Sequence, residues 1–295
     1  MTASTMSRRR RGGRPAPAAH GTGTVQRVGS VVAWAVVAFN VFILLWIVGS
    51  SLKTSREIVY GPWSPPTAFH FENYAKAWDV TSFGQAALNS TLVVAASAVT
   101  IVAIAAPAAY ALARIAGRAT SVLTLLFIVG IGIPDQLVVI PLFVMLQPLG
   151  LTNNLVGLYV IYVAASLPFT VFLLTGFFRS LPSTLEAAAA IDGCSPFQTF
   201  RLIMLPLARA GLITALILNI MGLWNELLFA LIFIQDTRYE TLPLALFGLL
   251  GTFQFTGADW GLLYAGICII VMPILAMYIW FGRRLVEGLS LGAAK

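Results

Sequence analysis

Long apolar runs alternate with shorter polar segments along most of the chain. Six runs are about 20 residues or longer, which is the length that a helix needs to cross about 30 Å of hydrocarbon. The apolar residues are continuous within each run, whereas the strands of a membrane barrel alternate apolar and polar positions over about ten residues. The pattern predicts an all-α integral membrane protein with six transmembrane helices, at residues 28–50, 88–113, 121–147, 155–178, 209–234 and 261–282.

The polar segments differ in length and composition. Residues 1–27 are rich in Arg, Gly, Pro and Ala and predict a disordered tail. Residues 51–87 and 235–260 are long connections, and residues 283–295 form a short tail after the last run. A basic start before an apolar run is also typical of a secretory signal peptide, but this run is long and lacks a small-residue cleavage pattern. We therefore interpret residues 28–50 as a first span that is not cleaved.

Composition and charge agree with this class and give an orientation. The chain is 59% hydrophobic and 10% charged, against about 25% charged residues in soluble domains. Fourteen of the 18 Lys and Arg lie in residues 1–27, 114–118, 179–209 and 283–295. The positive-inside rule then predicts that both termini and the 183–206 segment are cytoplasmic, and that 51–87 is extracytoplasmic. We interpret the net charge of +7 as this orientation signal and expect no nucleic-acid partner.

Two short helices are predicted between the fourth and fifth runs, at residues 183–206. Two segments fit the S-x-x-E/Q capping box, in which side chains satisfy the free N–H groups of a helix start: Ser183–Glu186 and Ser195–Gln198. Asp192-Gly193 is typical of a turn between the two helices. Pro206 predicts that the second helix closes or kinks there. A cytoplasmic connection with this much structure predicts a docking site for another protein.

Motifs of several catalytic and binding classes are absent from the sequence. There is no G-x-x-x-x-G-K-[ST] phosphate loop, so we expect no ATP hydrolysis by this chain alone. H-E-x-x-H, paired-Cys and G-x-S-x-G motifs are also absent. Cys194 and Cys268 are isolated, and they suggest neither a disulfide nor a metal site. The sequence predicts a non-catalytic protein with no cofactor and no metal of its own.

Two ionisable side chains fall inside predicted spans, Asp135 in the third and Glu226 in the fifth. A charge in the bilayer costs at least about 2.5 kcal/mol on insertion scales, so such residues normally face a bundle interior or an aqueous path. Asn219, Trp224 and Asn225 lie close to Glu226 in the sequence. Hydrogen bonds between packed helices would satisfy these groups, and so would a hydrophilic solute path. The sequence leaves both interpretations open.

Residues 183–206 resemble the cytoplasmic EAA loop of bacterial ABC importer permeases, whose general pattern is E-A-A-x3-G-x9-I-x-L-P. Counting from Gly193, the second half of the pattern matches at every defined position, which are Ile203, Leu205 and Pro206. The first half departs from it. The pattern places its Glu at Ala187, and the only Glu of the segment is one place earlier, at Glu186. The family's role for that Glu therefore does not transfer directly, and a helix cap explains Glu186 equally well.

Further blocks extend the resemblance from about residue 30 to the C-terminus. They are N-S-T-L at 89–92, A-Y-A-L-A-R at 109–114, I-P-D-Q at 133–136, P-F-T-V-F-L-L at 168–174, W-N-E-L-L-F-A-L at 224–231 and G-L-S-L-G-A-A-K at 288–295. Together they resemble the carbohydrate-uptake branch of these permeases, and within it the maltose-type second permease.

This resemblance implies a type I ABC importer transmembrane domain in a bacterial cell membrane. Its core would be five helices at residues 88–282, with the EAA loop at about 179–208 and the 28–50 span as an extra N-terminal helix. The implied cargo is a sugar, with an oligosaccharide as the expected class. The implied partners are a second homologous permease, two ATPase subunits that hold ATP and Mg, an extracellular or lipid-anchored solute-binding protein, and membrane lipid.

The resemblance also implies a coupling helix around residues 185–196, seated in a cleft on the ATPase. Apolar anchors, small residues that permit close approach and a fixed bend would transmit the motion. The candidate coupling residues are Leu185, Glu186, Ala187, Ala188, Ala189, Ile191, Asp192, Gly193, Phe197, Phe200, Ile203 and Pro206. For the apolar members, packing under the permease's own helices is the alternative.

Two other functions remain open. A proton-coupled secondary transporter also lacks an ATP site and carries intramembrane carboxylates, but it normally shows internal repeats and broken midplane helices. We find no convincing repeat. An ABC permease for a non-sugar solute is the second alternative.

In the connection at residues 235–260, residues 242–251 predict a short helix or a re-entrant piece, or a lid on the membrane surface.

Overall fold

The computed structural model describes residues 22–80 and 82–293, and every regular element in them is helical. The chain divides into two units, residues 1–47 and residues 48–295. Four helices are individually long and apolar enough to cross a membrane, and two bent helix pairs bring the candidate spans to six. The prediction of an all-α membrane protein is confirmed.

The first unit contains most of helix α1, which runs Thr22–Ser51. The helix therefore includes residues 22–27, which were predicted to belong to the tail. The last proline of the tail is Pro17, and adding residues to an existing helix is far easier than nucleating one. Residues 1–21 of the predicted tail lie outside the described residues.

The second unit begins with the end of α1 and two short helices, α2 (Ser55–Tyr60) and α3 (Glu72–Val80). The side chain of Asn73 is buried and donates to the carbonyl oxygens of Ser51 and Lys53, at 2.9 and 3.0 Å. These hydrogen bonds tie α3 to the end of α1. The predicted loop at residues 51–87 is therefore a folded segment with its own helices.

Two long helices form the centre of the second unit, α4 (Phe83–Arg114) and α7 (Leu155–Ser180). They pack along each other more extensively than any other pair of helices in the described residues. Ala105, Ala106 and Ala109 of α4 are buried in one cluster with Leu174 and Phe178 of α7. Such small residues let helix backbones approach closely, which favours association in lipid, where van der Waals packing replaces the hydrophobic effect.

The third predicted span is a bent pair of helices rather than one continuous helix. Helix α5 is Arg118–Ile131 and α6 is Asp135–Leu146, and the pair bends by 101°. Pro134 lacks an N–H group and disfavours the helical conformation at Ile133. The break between α5 and α6 therefore falls at residues 132–134. Asp135 is the first residue of α6 and lies at the bend.

Six helices complete the second unit: α8 (Thr184–Ile191), α9 (Pro196–Leu207), α10 (Arg209–Trp224), α11 (Leu228–Phe233), α12 (Leu242–Thr256) and α13 (Trp260–Ala293). Helices α9 and α10 form the second bent pair, with an angle of 71°. The fifth predicted span is interrupted between α10 and α11, and Glu226 lies in the interruption. Helix α12 includes the whole of residues 242–251, so the helix predicted there is confirmed.

The two ends of α4 contact the two connections that are predicted to lie on opposite sides of the membrane. Near its start, Asn89 donates to the carbonyl oxygens of Arg238 and Glu240, both at 2.9 Å. In its last turn, Arg114 contacts Leu181 and the helix that follows. Asn89 and Arg114 are 25 positions apart, or about 38 Å along a helix. This length exceeds the hydrocarbon thickness of about 30 Å, so the helix is long enough to join the two predicted sides.

Candidate functional site

The elbow, residues 181–207, contains α8, a turn and α9. Helix α8 ends in a Schellman motif, in which Cys194 N–H donates to Ala189 O at 2.9 Å and Gly193 N–H donates to Ala190 O at 3.1 Å. Gly193 has a φ of +78°, in the left-handed region where a Cβ atom clashes with the backbone. The predicted turn is confirmed, and its backbone conformation favours glycine.

The start and the end of α9 follow the sequence prediction. Ser195 Oγ accepts from Gln198 N–H at 3.3 Å, and Gln198 Oε1 accepts from Ser195 N–H at 2.8 Å. The second capping box is therefore confirmed. The helix continues through a π-helical turn at Thr199–Met204 and passes Pro206. It ends one residue later and bends into α10, which agrees with the predicted kink.

The first predicted capping box is wrong. The Ser183 side chain makes no capping hydrogen bond, and Glu186 binds the end of α4 instead. Arg114 Nε donates to Glu186 Oε1 at 3.0 Å, and Arg114 Nη2 donates to Leu181 O at 2.9 Å. A hydrogen bond between two charged groups is roughly twice as strong as one between neutral groups, so the guanidinium outcompetes the cap for this carboxylate. Glu186 thereby attaches α8 to α4.

One group of apolar elbow residues packs inside the chain. Ala189 is buried, and Leu185, Phe200 and Ile203 pack against the cluster formed by α4, α7 and α9. The ring centroid of Phe200 lies 5.1 Å from that of Tyr110 on α4. These four side chains therefore pack under the chain's own helices, which is the alternative that the sequence left open for the apolar members.

A second group faces away from the chain, around the turn. The side chain of Ile191 is 86% exposed and that of Phe197 is 67% exposed. Large apolar side chains that cluster on a polar surface typically mark a contact with another protein. The other exposed candidates are Ala187, Ala188, Asp192, Gly193 and Pro206. The elbow thus has an inner face that binds α4 and an outer face with exposed apolar side chains beside the turn, at Ile191 and Phe197, with Leu202 and Leu207 exposed further along α9.

A second candidate site is an open pocket of about 360 Å³ beside α7 and α10. Three predicted solute-path residues line it, namely Asp135, Asn219 and Glu226, together with Tyr162 and Ser166. Amide, carboxylate and hydroxyl groups are the donors and acceptors that bind the hydroxyl groups of a polar solute. The structure therefore brings residues of the third, fourth and fifth predicted spans together in the lining of one pocket.

Glu226 is fully engaged within the chain and still borders this pocket. Its carboxylate accepts from Tyr162 Oη at 2.8 Å, from Phe229 N–H at 2.7 Å and from Ala230 N–H at 3.3 Å. The two backbone donors belong to the first turn of α11, so the carboxylate satisfies N–H groups that have no partner within the helix. Hydrogen bonds between packed helices therefore account for Glu226 without a solute.

The remaining two solute-path candidates lie elsewhere. Trp224 Nε1 donates to Ile270 O on α13 at 3.1 Å, and its ring borders a separate apolar pocket of about 170 Å³. Asn225 is exposed, and its Nδ2 donates to Met221 O at 2.8 Å within the same helix. Sequence proximity to Glu226 therefore did not predict which side chains share its pocket.

Sequence reasoning missed three residues that the structure places in these sites. Tyr162 and Ser166 are four positions apart on α7 and share one helix face, which forms a wall of the pocket. Arg114 ends the A-Y-A-L-A-R block at 109–114. Intramembrane carboxylates normally have a named partner, so a search for a hydroxyl partner of Glu226 would have selected Tyr162.

The outer connection after α11 is fixed at its start by Asn153, which has a φ of +54°. Its Oδ1 accepts from Gln235 N–H at 2.9 Å and from Asp236 N–H at 2.8 Å, and its own N–H donates to Phe233 O at 2.7 Å. Hydrogen bonds from the side chain and backbone of Arg238 lower the pKa of Asp236 to about 2. The start of the connection after α11 is therefore held in place by hydrogen bonds to Asn153.

Comparison with known proteins agrees with this architecture. Residues 102–289 match the family described as binding-protein-dependent transport system inner membrane component. The chain is 38% identical over 264 residues to the diacetylchitobiose uptake system permease protein NgcG of Streptomyces coelicolor, covering 89% of this chain and 86% of the relative. It is 35% identical to the trehalose transport system permease protein SugB of Mycobacterium tuberculosis, covering 88% of this chain and 94% of the relative.

The fold is also similar to a solved structure, that of a bacterial ABC transporter involved in the import of the acidic polysaccharide alginate. The TM-score is 0.75 over 91% of this chain and 99% of the other, at 20% sequence identity. At that identity the likeness shows the fold alone. The family match covers more than half of the chain, and it confirms the resemblance to importer permeases. The chain belongs to the family of binding-protein-dependent transport system inner membrane components, which are the non-catalytic permease subunits of ABC importers.

Proposed function

We propose that this chain is the permease subunit of an ATP-driven sugar importer, with an oligosaccharide as cargo. The relation to permeases named for diacetylchitobiose and trehalose uptake, at 38% and 35% identity, carries this proposal. The chain works with a second homologous permease, two ATPase subunits that hold ATP and Mg, and an extracellular or lipid-anchored solute-binding protein. The same relatives give no support to a proton-coupled carrier.

Uptake by membrane vesicles that contain the complete complex and its binding protein tests the energy source and the cargo. The probes are radiolabelled diacetylchitobiose, trehalose and, as a non-sugar solute, spermidine. We expect uptake of at least one sugar, which persists when the proton gradient is collapsed and stops when ATP is removed. Uptake that follows the proton gradient would refute the ATP-driven importer. Uptake of spermidine and of neither sugar would refute the cargo class.

We further propose that the outer face of the elbow docks on the ATPase, with Ile191 and Phe197 as anchors and Gly193 fixing the angle between them. Their exposure beside a rigid turn supports this role. A few buried anchors usually carry most of an interface's energy, at about 2 kcal/mol or more each. Loss of both anchors should therefore weaken ATPase binding by more than about thirtyfold, since each 1.4 kcal/mol corresponds to a factor of ten and one anchor alone contributes about 2 kcal/mol.

Copurification of the ATPase with a tagged permease tests this docking surface. The double variant Ile191→Ser/Phe197→Ser should lose the ATPase and remain folded, because neither side chain supports the core. Ile115→Ser is the matched control, since Ile115 is 61% exposed at the end of α4 and lies outside the elbow. Normal ATPase recovery with the double variant would contradict the docking role.

The proposed orientation places both termini and the elbow in the cytoplasm. Cys194 and Cys268 are the two cysteines of the chain, so Cys268→Ser leaves a single thiol on the elbow. In membranes stripped of ATPase, we expect a membrane-impermeant maleimide to label Cys194 in inside-out vesicles and to leave it unlabelled in intact cells. Lys76→Cys, introduced without the native cysteines, provides an exposed outer control with the opposite pattern. Labelling of Cys194 from outside would overturn the orientation.

The proposed solute path follows the pocket of Asp135, Asn219 and Glu226. Asp135 is exposed at the bend before α6, so Asp135→Asn should preserve the fold. We expect it to raise the KM for sugar uptake with little change in ATP hydrolysis. Asn225→Ala is the control, since Asn225 is exposed outside the pocket lining. Equal KM values for Asp135→Asn and the unmodified protein would contradict this path.

A further inference from the structure

The cytoplasmic end of α4 holds both halves of the elbow. Arg114 binds Glu186 of α8 at 3.0 Å, and the two side chains are 18% and 21% exposed. One turn earlier on α4, the ring of Tyr110 packs on Phe200 of α9 at 5.1 Å. An ion pair with this little exposure is screened by water less than one on the open surface. Movement of either elbow helix therefore acts directly on α4.

The outer end of α4 holds the start of the connection that leads into α12. The buried amide of Asn89 donates to Arg238 O and Glu240 O. The hydroxyl of Ser90, also buried, accepts from Leu242 N–H at 2.8 Å. Leu242 is the first residue of α12, whose N–H has no partner inside its own helix. Helix α4 therefore supplies a cap to α12 through a side chain from another part of the chain.

We propose that α4 is the strut that couples the elbow to this outer connection, and that Arg114 and Asn89 are the positioning residues at its two ends. The inference rests on the proposed ATPase docking of the elbow. Helix α4 is one helix over Phe83–Arg114, with Pro107 inside it, and it runs through the core, so its two ends are joined by a helix and not by a flexible loop. Coupling between two sites is reciprocal in free energy and typically amounts to about 1–3 kcal/mol.

The strut predicts that docking of the proposed solute-binding protein on this connection changes the affinity of the ATPase for ATP, and that ATP binding changes the affinity of that docking by the same factor. A purely local role for these side chains predicts a change in stability at one end and no such linkage. Removing the contacts at either end of α4 should reduce the factor by which one site changes the affinity of the other at least about fivefold. Fivefold corresponds to the lower end of the typical coupling energy.

The test uses the complete transporter in nanodiscs and measures the Kd for a non-hydrolysable ATP analogue and the rate of ATP hydrolysis, each with and without its sugar-loaded solute-binding protein. The stimulation is the factor by which that protein changes either quantity. Arg114→Glu and Asn89→Leu should each reduce the stimulation at least fivefold relative to the variant's own basal hydrolysis, with ATPase recovery measured in parallel. The charge swap Arg114→Glu/Glu186→Arg should restore the stimulation. Thr100→Val is the matched control, because Thr100 accepts a hydrogen bond from Tyr159 in the middle of α4, away from both ends.

Two milder variants keep the test valid where a stronger one does not fold. Glu186→Gln removes the charge at the inner end, and Ser90→Ala removes the cap acceptor at the outer end. Unchanged stimulation in the variants of either end would overturn the strut, and so would a charge swap that folds but fails to restore it. Failure of the docking proposal is a separate result, since Ile191→Ser/Phe197→Ser would then retain the ATPase.

Discussion

Substitutions of Gly193 separate backbone geometry from side-chain size at the elbow. The residue has a φ of +78°, and a Cβ atom built on it meets no heavy atom within 4 Å. Size alone therefore costs nothing within this chain, and any penalty comes from the left-handed conformation. That penalty is about 1–2 kcal/mol for an ordinary L-residue and less for Asn, which tolerates this position of a helix end.

This conformational penalty predicts an order of functional loss among variants of Gly193 that differs from the order of their side-chain volumes. Gly193→Asn should retain most of the function, Gly193→Ala should lose more, and Gly193→Val should lose most, because β-branched residues are the poorest at positive φ. A strain of about 1.4 kcal/mol shifts the equilibrium away from the native turn by about tenfold. The α8 and α9 helices would then keep their hydrogen bonds but lose the fixed angle between them.

The assay is sugar-stimulated ATP hydrolysis by the reconstituted complex, with uptake measured in parallel. We expect the Ala variant to be more impaired than the Asn variant, although Asn is the larger side chain. Thermal unfolding of the isolated permease checks that all three variants fold. A loss that follows volume, with Ala close to Gly and Asn close to Val, would refute the backbone argument and indicate that the partner's surface closes on this glycine.

Two further predictions concern stability. A Cβ atom at Gly211 would lie 2.4 to 2.7 Å from ring atoms of Phe177, so Gly211→Ala should destabilise the detergent-solubilised protein by about 1–3 kcal/mol, whereas Gly176→Ala, with open space, should not. Hydrogen bonds from Thr67 and Thr54 lower the pKa of Glu57 from 4.5 to about 2. These hydrogen bonds therefore stabilise the folded form of the segment between α1 and α4 above about pH 4.5, where Glu57 is ionised in both the folded and the unfolded chain. Their contribution is lost as the pH falls toward 2 and the carboxylate is protonated. In a carbon-13 NMR titration, Thr67→Val should move this pKa up toward 4.5, and an unchanged value would contradict the assignment.

The sequence predicted the helices well because lipid restricts the choices. A long apolar run in a membrane must satisfy its own backbone hydrogen bonds, and a helix does so locally. The breaks were harder to predict. Pro134 disfavours a continuous helix through residues 121–147, but no local pattern gives the angle of 101° between α5 and α6. Glu226, in the second interruption, accepts a hydrogen bond from Tyr162, which lies 64 positions away.

The elbow shows the same division between local and tertiary information. The turn at Gly193 and the capping box at Ser195 depend on residues within a few positions, and both predictions are confirmed. The box at Ser183 also looked favourable locally. It was wrong because Glu186 has a stronger partner in Arg114, 72 positions earlier in the chain. Local patterns predict a cap only where no distant charge competes for the same carboxylate.

Glu186 lies one residue before the position at which the family pattern has its Glu, and the structure gives a physical reason for this difference. One residue turns a helix by about 100°, so neighbouring positions on α8 face different surroundings. Ala187, where the pattern places its Glu, is exposed on the outer face, whereas Glu186 faces the end of α4 and binds Arg114. The shift by one place therefore moves the carboxylate from the proposed docking surface to the inner attachment. A chain with the carboxylate moved to position 187 would match the pattern better and would lose the contact that joins the elbow to α4.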